Sequence, residues 1–174
     1  TFEYSNLRLS ADSIRDTDTL TVTVTAKNTG SRAGKTVVQL YVGDPESTVF
    51  RPVRELKDFA KVELQPGESR DVTFTLDKRA FAYWNEEIQD WHVESGEFTI
   101  EVGQSSRNME CSASVNVMST VKLPKHYTMD TIFMDLMADP EAMEVMQPMM
   151  GAIQRALTPG SEDISAAAAE AITE

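Results

Sequence analysis

Two apolar segments joined by a tight turn, within residues 51–76, constrain the fold more than any other part of the sequence. The first segment has its apolar residues at Phe59, Val62 and Leu64. Residues 65–68 read Gln-Pro-Gly-Glu, which is typical of a type II turn because proline presets φ and glycine accepts a positive φ. From residue 72 to 76 apolar and polar residues alternate, the period of a half-buried strand. The sequence therefore predicts a β-hairpin here.

The same alternation recurs along most of the chain. It is clearest in residues 20–26, where Leu, Val, Val and Ala alternate with three threonines. In the first segment the alternation slips at Ser5–Asn6, which indicates an irregular strand. Short strands separated by turn residues are typical of a β-sandwich. The remaining predicted strands cover residues 2–9, 37–42, 81–84, 91–93, 98–102 and 111–117.

The period becomes helical after Pro124. Apolar residues follow helical spacing from Met129, and Asp139-Pro140 predicts a second helix, with the aspartate as N-cap and the proline as first helical residue. We therefore predict a sandwich over residues 1–121 and a Met-rich helical extension over 122–174, with an unstructured end. The extension packs on its own sandwich, on other domains or on a second subunit. The candidate helix-interface residues are Met129, Phe133, Met137, Met146 and Met150.

Several short motifs, taken in order, resemble one particular domain. They are Asn28-Thr29-Gly30, Val38–Val42, Asp44-Pro45, Arg51-Pro52, Arg54–Lys57, Pro66–Ser69, Ala82–Trp84 and Gly96–Gly103. Together they resemble the fibronectin type III-like domain at the C-terminus of family 3 glycoside hydrolases, chiefly β-glucosidases. Asp58 stands where that family usually has glycine, and an ordinary backbone at this position tolerates the change. The expected fold is mainly β, an immunoglobulin-like sandwich followed by a short α-helical extension.

The resemblance also implies a function. Family 3 enzymes are retaining glycosidases whose nucleophilic aspartate lies in an N-terminal barrel and whose acid/base glutamate usually lies in a following α/β domain. Neither domain is represented here, so we expect a non-catalytic accessory domain that supports the catalytic domains of its parent chain or a subunit interface, with a homo-oligomer as an option. The chain begins at Thr1 inside a strand pattern, so we expect a piece of a longer protein.

Composition narrows the range of partners. The net charge is −12, without a basic stripe, which disfavours nucleic acid and anionic membrane surfaces as partners. His92 and His126 have no metal-ligand spacing around them, and no phosphate-binding loop is present, so we expect neither a metal nor a cofactor. The single cysteine, Cys111, rules out an intramolecular disulfide and favours the cytoplasm as compartment.

Two groups of residues are candidates for contacts. The polar connection from Asp44 to Arg54 is long and carries Phe50 beside Arg51 and Arg54, so we predict an interdomain contact there. Trp84 and Trp91 lie close to Glu86, Glu87, Asp90 and Glu94, and an aromatic ring beside acids can hold a sugar. A carbohydrate-binding module is therefore an alternative function, and an assembly module acting through the Met-rich helices is another. A charged hairpin anchored by two tryptophans explains the same residues without a ligand.

Overall fold

The computed structural model describes residues 1–124 and 137–157, with side chains up to residue 151. Residues Thr1–Leu123 form one compact unit, and a second unit begins at Pro124. The first unit is built from ten strands and a short helix: β1 (Phe2–Leu9), β2 (Ser13–Arg15), β3 (Leu20–Asn28), β4 (Gly34–Gly43), β5 (Glu55–Leu64), β6 (Ser69–Leu76), α1 (Lys78–Phe81), β7 (Tyr83–Asn85), β8 (Asp90–His92), β9 (Gly96–Ser105) and β10 (Asn108–Met118).

Two sheets and a small hairpin account for these strands. One sheet has three strands in the order β1-β3-β6, the other has five in the order β2-β10-β9-β4-β5, and β7 pairs with β8. The inward residues of both sheets form a single apolar core. This confirms the predicted β-sandwich. The largest fully buried side chains are Phe81, Phe98, Leu20, Leu40, Leu64, Ile100, Val22, Val24, Val38, Val42, Val93 and Val102.

The alternating segment at the centre of the three-stranded sheet shows why these residues form strands. In β3, Leu20, Val22, Val24 and Ala26 are completely buried, while the threonines between them remain partly exposed. Burial of each Val or Leu contributes about 1.5–3 kcal/mol, so a one-residue slip of this strand would move the whole set into water. The register of β3 is therefore fixed by its inward face.

The turn at residues 65–68 has the predicted geometry, but its two strands do not form a hairpin. Gly67 has φ of 79°, and the Glu68 amide donates to the Gln65 carbonyl at 3.0 Å, as a type II turn requires. However, β5 pairs only with β4 and β6 only with β3, so the strands belong to different sheets. The hairpin prediction is wrong because the turn passes from one sheet to the other, and Leu64 of β5 and Phe74 of β6 are buried in the same core from opposite sides.

Three further details of the first unit concern strand boundaries. Asn6 has φ of 53°, and the pairing of β1 with β3 shifts between Ser5 and Arg8, which confirms the predicted irregularity. The predicted strand from Phe81 is wrong at its start, since Phe81 ends helix α1, whose N-cap Asp77 accepts from the Arg79 amide. Strand β2 was not predicted, because three residues carry too little pattern.

The described part of the second unit contains one helix with assigned bounds, α2 (Pro140–Leu157). The Asp139 carboxylate accepts from the Glu141 amide at 2.9 Å, so the predicted N-cap is confirmed. Pro148 lies inside this helix. Of the helix predicted from Met129, Met129 and Phe133 lie outside the described residues, and only its last predicted apolar residue, Met137, is described. No helix in the described ranges is long and apolar enough to cross a bilayer. The domain boundary at residue 121 stays a prediction.

Candidate functional site

The connection between β4 and β5, residues 44–54, is here named the β4–β5 loop, and a buried arginine holds it in place. Arg51 donates from Nη1 to Asp44 Oδ2 at 3.3 Å and to the Phe81 carbonyl at 2.9 Å, and from Nη2 to Glu55 Oε1 at 3.0 Å. The side chains of Arg51 and Asp44 are only 6% and 5% exposed. The Arg51 guanidinium therefore donates hydrogen bonds in several directions while it is shielded from water. Because Asp44 begins the loop and Glu55 follows its end, these bonds hold both ends of the loop.

A second carboxylate holds the middle of the loop. Glu94, which follows β8, accepts from Ser47 Oγ at 3.0 Å, from the Thr48 amide at 3.2 Å and from Thr48 Oγ1. Hydrogen bonds to an ionised carboxylate are the stronger kind. The loop is therefore a fixed structure, although it contains no helix or strand.

Burial and pairing shift the pKa values of the loop's carboxyls in opposite directions. Burial raises the pKa of Asp44, Arg51 opposes that rise, and the Glu94 charge adds to it. Burial also acts to raise the pKa of Glu55, but hydrogen bonds from Lys57 and Arg51 outweigh it and the pKa falls. Asp44 is therefore the carboxyl whose charge depends most on its arginine partner.

The loop lies against the outer face of the five-stranded sheet. At Gly43, the last residue of β4, an added Cβ would come within 2.6 Å of both the Val53 carbonyl oxygen and Thr99 Oγ1. Only glycine allows the chain to pass this close. Further along, Arg54 Nε pairs with Glu101 Oε2 on β9 at 3.2 Å. The loop thus stays in contact with the outer face until β5 begins.

The three residues predicted as an interdomain contact therefore differ in accessibility. Phe50 is completely exposed, at 101% of its reference area, and Val53 is 83% exposed. Arg51 is buried inside the loop, and Arg54 is partly buried in its pair with Glu101. Of the three, Phe50 is the one free to contact another surface, while Arg51 holds the loop that carries it.

The two tryptophans of the β7–β8 hairpin lie together but do not form a flat platform. Trp84 and Trp91 are directly opposite, with ring centroids 5.7 Å apart and planes at 72°. The Arg79 guanidinium lies 3.6 Å from the Trp91 ring centroid and covers one of its faces. Trp84 is half exposed, and together with Phe50 it lines a shallow cleft of about 430 Å³.

The acidic residues near these tryptophans differ in their surroundings. Glu94 is engaged with the β4–β5 loop, Asp90 Oδ1 accepts from the Trp91 amide, and Glu86 and Glu87 lie in the exposed turn between β7 and β8. Among residues 1–124 and 137–151, no group of three or more His, Cys, Asp or Glu side chains is arranged to hold a metal ion.

Two buried polar atoms belong to residues outside the β4–β5 loop. In the described part of the chain, Asp16 Oδ2 and His92 Nδ1 have no hydrogen-bond partner. The other oxygen of Asp16 accepts from the Thr120 amide at 3.0 Å. Burial lowers the pKa of His92, against the influence of the Glu94 carboxylate. Burial therefore favours the neutral form of the imidazole in the folded domain.

The described candidates on the helical extension are partly accessible. Met137 is 45% exposed and Met150 is 38% exposed, while Met146 is half-buried. Val145 on α2 is also exposed. Methionine is an adaptable apolar residue, and its presence here is typical of a packing surface.

Sequence reasoning missed the groups that hold the loop. The sequence predicts Arg51 to be a contact residue and Glu94 to be one acid of a charged hairpin. Glu94 lies 46 residues from Thr48 along the chain, so no local pattern joins them. The one sequence signal for this ion pairing is the i, i+4 spacing of Arg51 and Glu55. Opposite charges at this spacing also occur by chance.

Comparisons with known proteins agree with this fold. A family model described as the fibronectin type III-like domain matches residues 36–106. Thermostable β-glucosidase B of Acetivibrio thermocellus is 51% identical over 156 residues, which cover 90% of this chain and 21% of that protein. A β-glucosidase of Bacteroides ovatus is 42% identical over 109 residues, covering 63% of this chain and 15% of that protein.

Comparison with solved structures also finds similarity to β-glucosidases. The crystal structure of a GH3 β-glucosidase from Bifidobacterium adolescentis matches with a TM-score of 0.70 and 40% identity, over 83% of this chain and 21% of that one. The first unit is therefore a fibronectin type III-like domain. Residues 36–106 thus match the fibronectin type III-like family, and most of the chain is similar to one region of family 3 β-glucosidases, the resemblance that its motifs indicated. It spans about a fifth of the A. thermocellus and B. adolescentis proteins.

Proposed function

We propose that this chain is a non-catalytic accessory domain of a longer β-glucosidase-type glycoside hydrolase, in which it supports the catalytic domains. The observation that carries the proposal is the β4–β5 loop, which is held by Arg51 and Glu94 and carries a fully exposed Phe50. A fixed loop that leaves a large aromatic side chain in water is typical of a contact surface.

The size of the relatives supports the same role. The A. thermocellus protein, a β-glucosidase by name, has about four-fifths of its length outside the matched region, since this chain covers 21% of it. A domain joined to such a neighbour meets it at high effective concentration, so a modest apolar contact suffices to hold the two together. Arg51 then contributes by holding the loop, and Phe50 by filling a recess on the neighbour.

The test is Phe50→Ser in the full-length protein and in this chain alone. Burial of a phenylalanine contributes up to about 3 kcal/mol, so the full-length variant is expected to lose β-glucosidase activity several-fold faster on heating. The chain alone is expected to unfold at the same urea concentration as its parent, because Phe50 is already in water. Met118→Ser, at an exposed position on β10, is the matched control. Equal inactivation rates for Phe50→Ser and the unsubstituted protein would contradict the proposal.

A second candidate function rests on the cleft between Phe50 and Trp84. Asn85, Glu86 and Glu87 also line it, so aromatic rings and hydrogen-bonding groups lie side by side, as in sites that bind carbohydrate. Affinity electrophoresis of the chain in gels containing soluble β-glucan tests this function, with Trp84→Ala as the control. Retardation that Trp84→Ala abolishes would support a carbohydrate-binding module, and unchanged migration would leave the supporting role.

A further inference from the structure

The outward faces of the two sheets differ in chemistry. On the three-stranded sheet, Thr23 Oγ1 bonds Thr73 Oγ1 at 3.2 Å, and Asp71 accepts from Thr25 and Arg8 at 2.7 Å each. The hydrogen-bonding groups on this face are satisfied by one another and by water. The five-stranded sheet instead exposes Leu56 and Phe59 on its edge strand β5. One outer face of the sandwich is therefore polar, and part of the other is apolar.

A β-bulge gives Leu56 and Phe59 the same orientation. Phe59 pairs with Gln39, and Leu56 pairs with Tyr41, because the register shifts by one residue between Leu40 and Tyr41. Gln39 and Tyr41 are two residues apart on β4 and share the outer face. Without the bulge Leu56 would face the core. As it is, Leu56 is 50% exposed and Phe59 63% exposed, side by side.

The free edge of β5 is protected against pairing with another strand. At the bulge, Asp58 Oδ1 accepts from the Phe59 amide at 2.7 Å. Lys57 and Lys61 flank this position. A bulge together with charges is the usual protection of an edge strand, so the backbone here is poorly suited to strand addition by a second copy. The apolar side chains remain available for contact across the face.

The exposed part of the β4–β5 loop continues this apolar area. Val53 crosses the outer face at Gly43, and Arg54 pairs with Glu101, which lies opposite Tyr41 on β9. The loop and the edge strand therefore share one side of the sandwich. We name the four residues exposed there, Phe50, Val53, Leu56 and Phe59, the apolar face.

We propose that the apolar face is one continuous docking surface for the catalytic part of the same polypeptide, with Leu56 and Phe59 buried in that contact as well as Phe50. The inference rests on the proposed function and extends it from a single loop to a sheet face. Same-chain contact is favoured because this chain covers only 21% of a relative that is 51% identical to it. A second copy is disfavoured by the protected edge and by like net charges of −12.

Hydroxyl-radical footprinting tests the surface directly, since it measures the accessibility of individual side chains. The modification rates of Phe50, Leu56 and Phe59 are compared between this chain alone and the full-length protein. We expect each rate to fall at least fivefold in the full-length protein, with Met118 unchanged as the exposed control. A parallel series of the chain alone at rising concentration reports any protection by a second copy.

The pattern of protection among Phe50, Leu56 and Phe59 distinguishes the inference from the proposed function. Protection of all three residues in the full-length protein supports the inference. Protection of Phe50 without Leu56 and Phe59 overturns the inference and leaves the proposed function standing. If none of the three residues is protected, both the inference and the proposed function are overturned. Protection that rises with the concentration of the chain alone assigns the face to a second copy and overturns the inference.

A double variant, Leu56→Ser with Phe59→Ser, gives an independent measurement. Because both side chains are largely in water in this chain, its urea midpoint is expected to stay unchanged, which also shows that the variant folds. In the full-length protein the same variant is expected to shorten the half-life of β-glucosidase activity on heating several-fold, while Thr23→Ser on the polar face leaves it unchanged. Equal half-lives would overturn the inference.

Discussion

Replacing Arg51 with methionine removes the charge at the centre of the β4–β5 loop and keeps a long side chain. Asp44, its partner, is only 5% exposed, so the substitution leaves a carboxylate shielded from water without its cation. The Phe81 carbonyl also loses a donor. Glu55 keeps its pair with Lys57 at 2.9 Å. The unpaired, buried carboxylate of Asp44 is therefore the main cause of the expected loss of stability.

The expected magnitude follows from this burial. Breaking a buried ion pair by removing one partner destabilises a protein by about 3–5 kcal/mol. The loop can open locally and hydrate Asp44, so the free energy of that opening sets an upper limit on the loss. We expect the free energy of unfolding of this chain to fall by about 2–4 kcal/mol, against about 0–1 kcal/mol for an exposed pair.

The pH dependence of this loss has a definite sign. Burial already raises the pKa of Asp44, and without the opposing influence of Arg51 it rises further. A folded-state pKa above the unfolded value means that the stability is present below the unfolded pKa and is lost as pH rises through the folded pKa. The deficit of Arg51→Met is therefore expected to be small below the ordinary aspartate pKa of about 4 and to grow towards pH 7.

Urea unfolding at pH 4 and pH 7, followed by tryptophan fluorescence, measures both quantities. The double variant Arg51→Met with Asp44→Asn is expected to recover most of the loss at pH 7, because no buried charge remains. Arg70→Met, which breaks an exposed pair with Glu68, is the control and should change little. A loss under about 1 kcal/mol for Arg51→Met at pH 7, or a larger loss at pH 4, would mean that the ion pair with Asp44 does not stabilise the loop.

Three other substitutions test single features of the domain. Gly67→Ala places a side chain at φ of 79° with open space around it, so urea unfolding should show a loss of about 1–2 kcal/mol from backbone strain, against little change for Gly96→Ala. His92→Asn should flatten the fall in stability from pH 7 to pH 5, because burial lowers the pKa of His92 and stability is lost as pH falls through it. Gly43→Ala should displace Val53 and cost about 1–3 kcal/mol, with faster proteolysis of the loop; unchanged proteolysis would contradict the close approach.

Features that depend on neighbours in sequence were predicted well. The turn at Gly67, the irregularity at Ser5–Asn6 and the N-cap Asp139 each depend on a few adjacent residues. The alternation in β3 predicted its buried face for the same reason. Asp58 is not among the residues with positive φ, so the condition under which aspartate can replace glycine there is met. Local chemistry was sufficient in each case.

Features that depend on distant partners were not predicted. The membership of β5 and β6 in different sheets follows from which strands they meet, β4 and β3, and not from the turn between them. The outward orientation of Leu56 requires a bulge that the alternation does not reveal. Arg51 was assigned to a surface because its sequence context is polar, whereas Asp44 and the Phe81 carbonyl bury it. Sequence alone identified the loop but not the way in which it is held.

We propose that this domain supports a catalytic part to which it is joined. The most direct measurement is the half-life of β-glucosidase activity on heating for the full-length protein with and without residues 1–123, together with an assay of this chain alone on an aryl β-glucoside. We expect the shortened protein to lose activity at least tenfold faster and the chain alone to show no hydrolysis. An equal half-life after removal of the domain, or hydrolysis by the chain itself, would contradict the account.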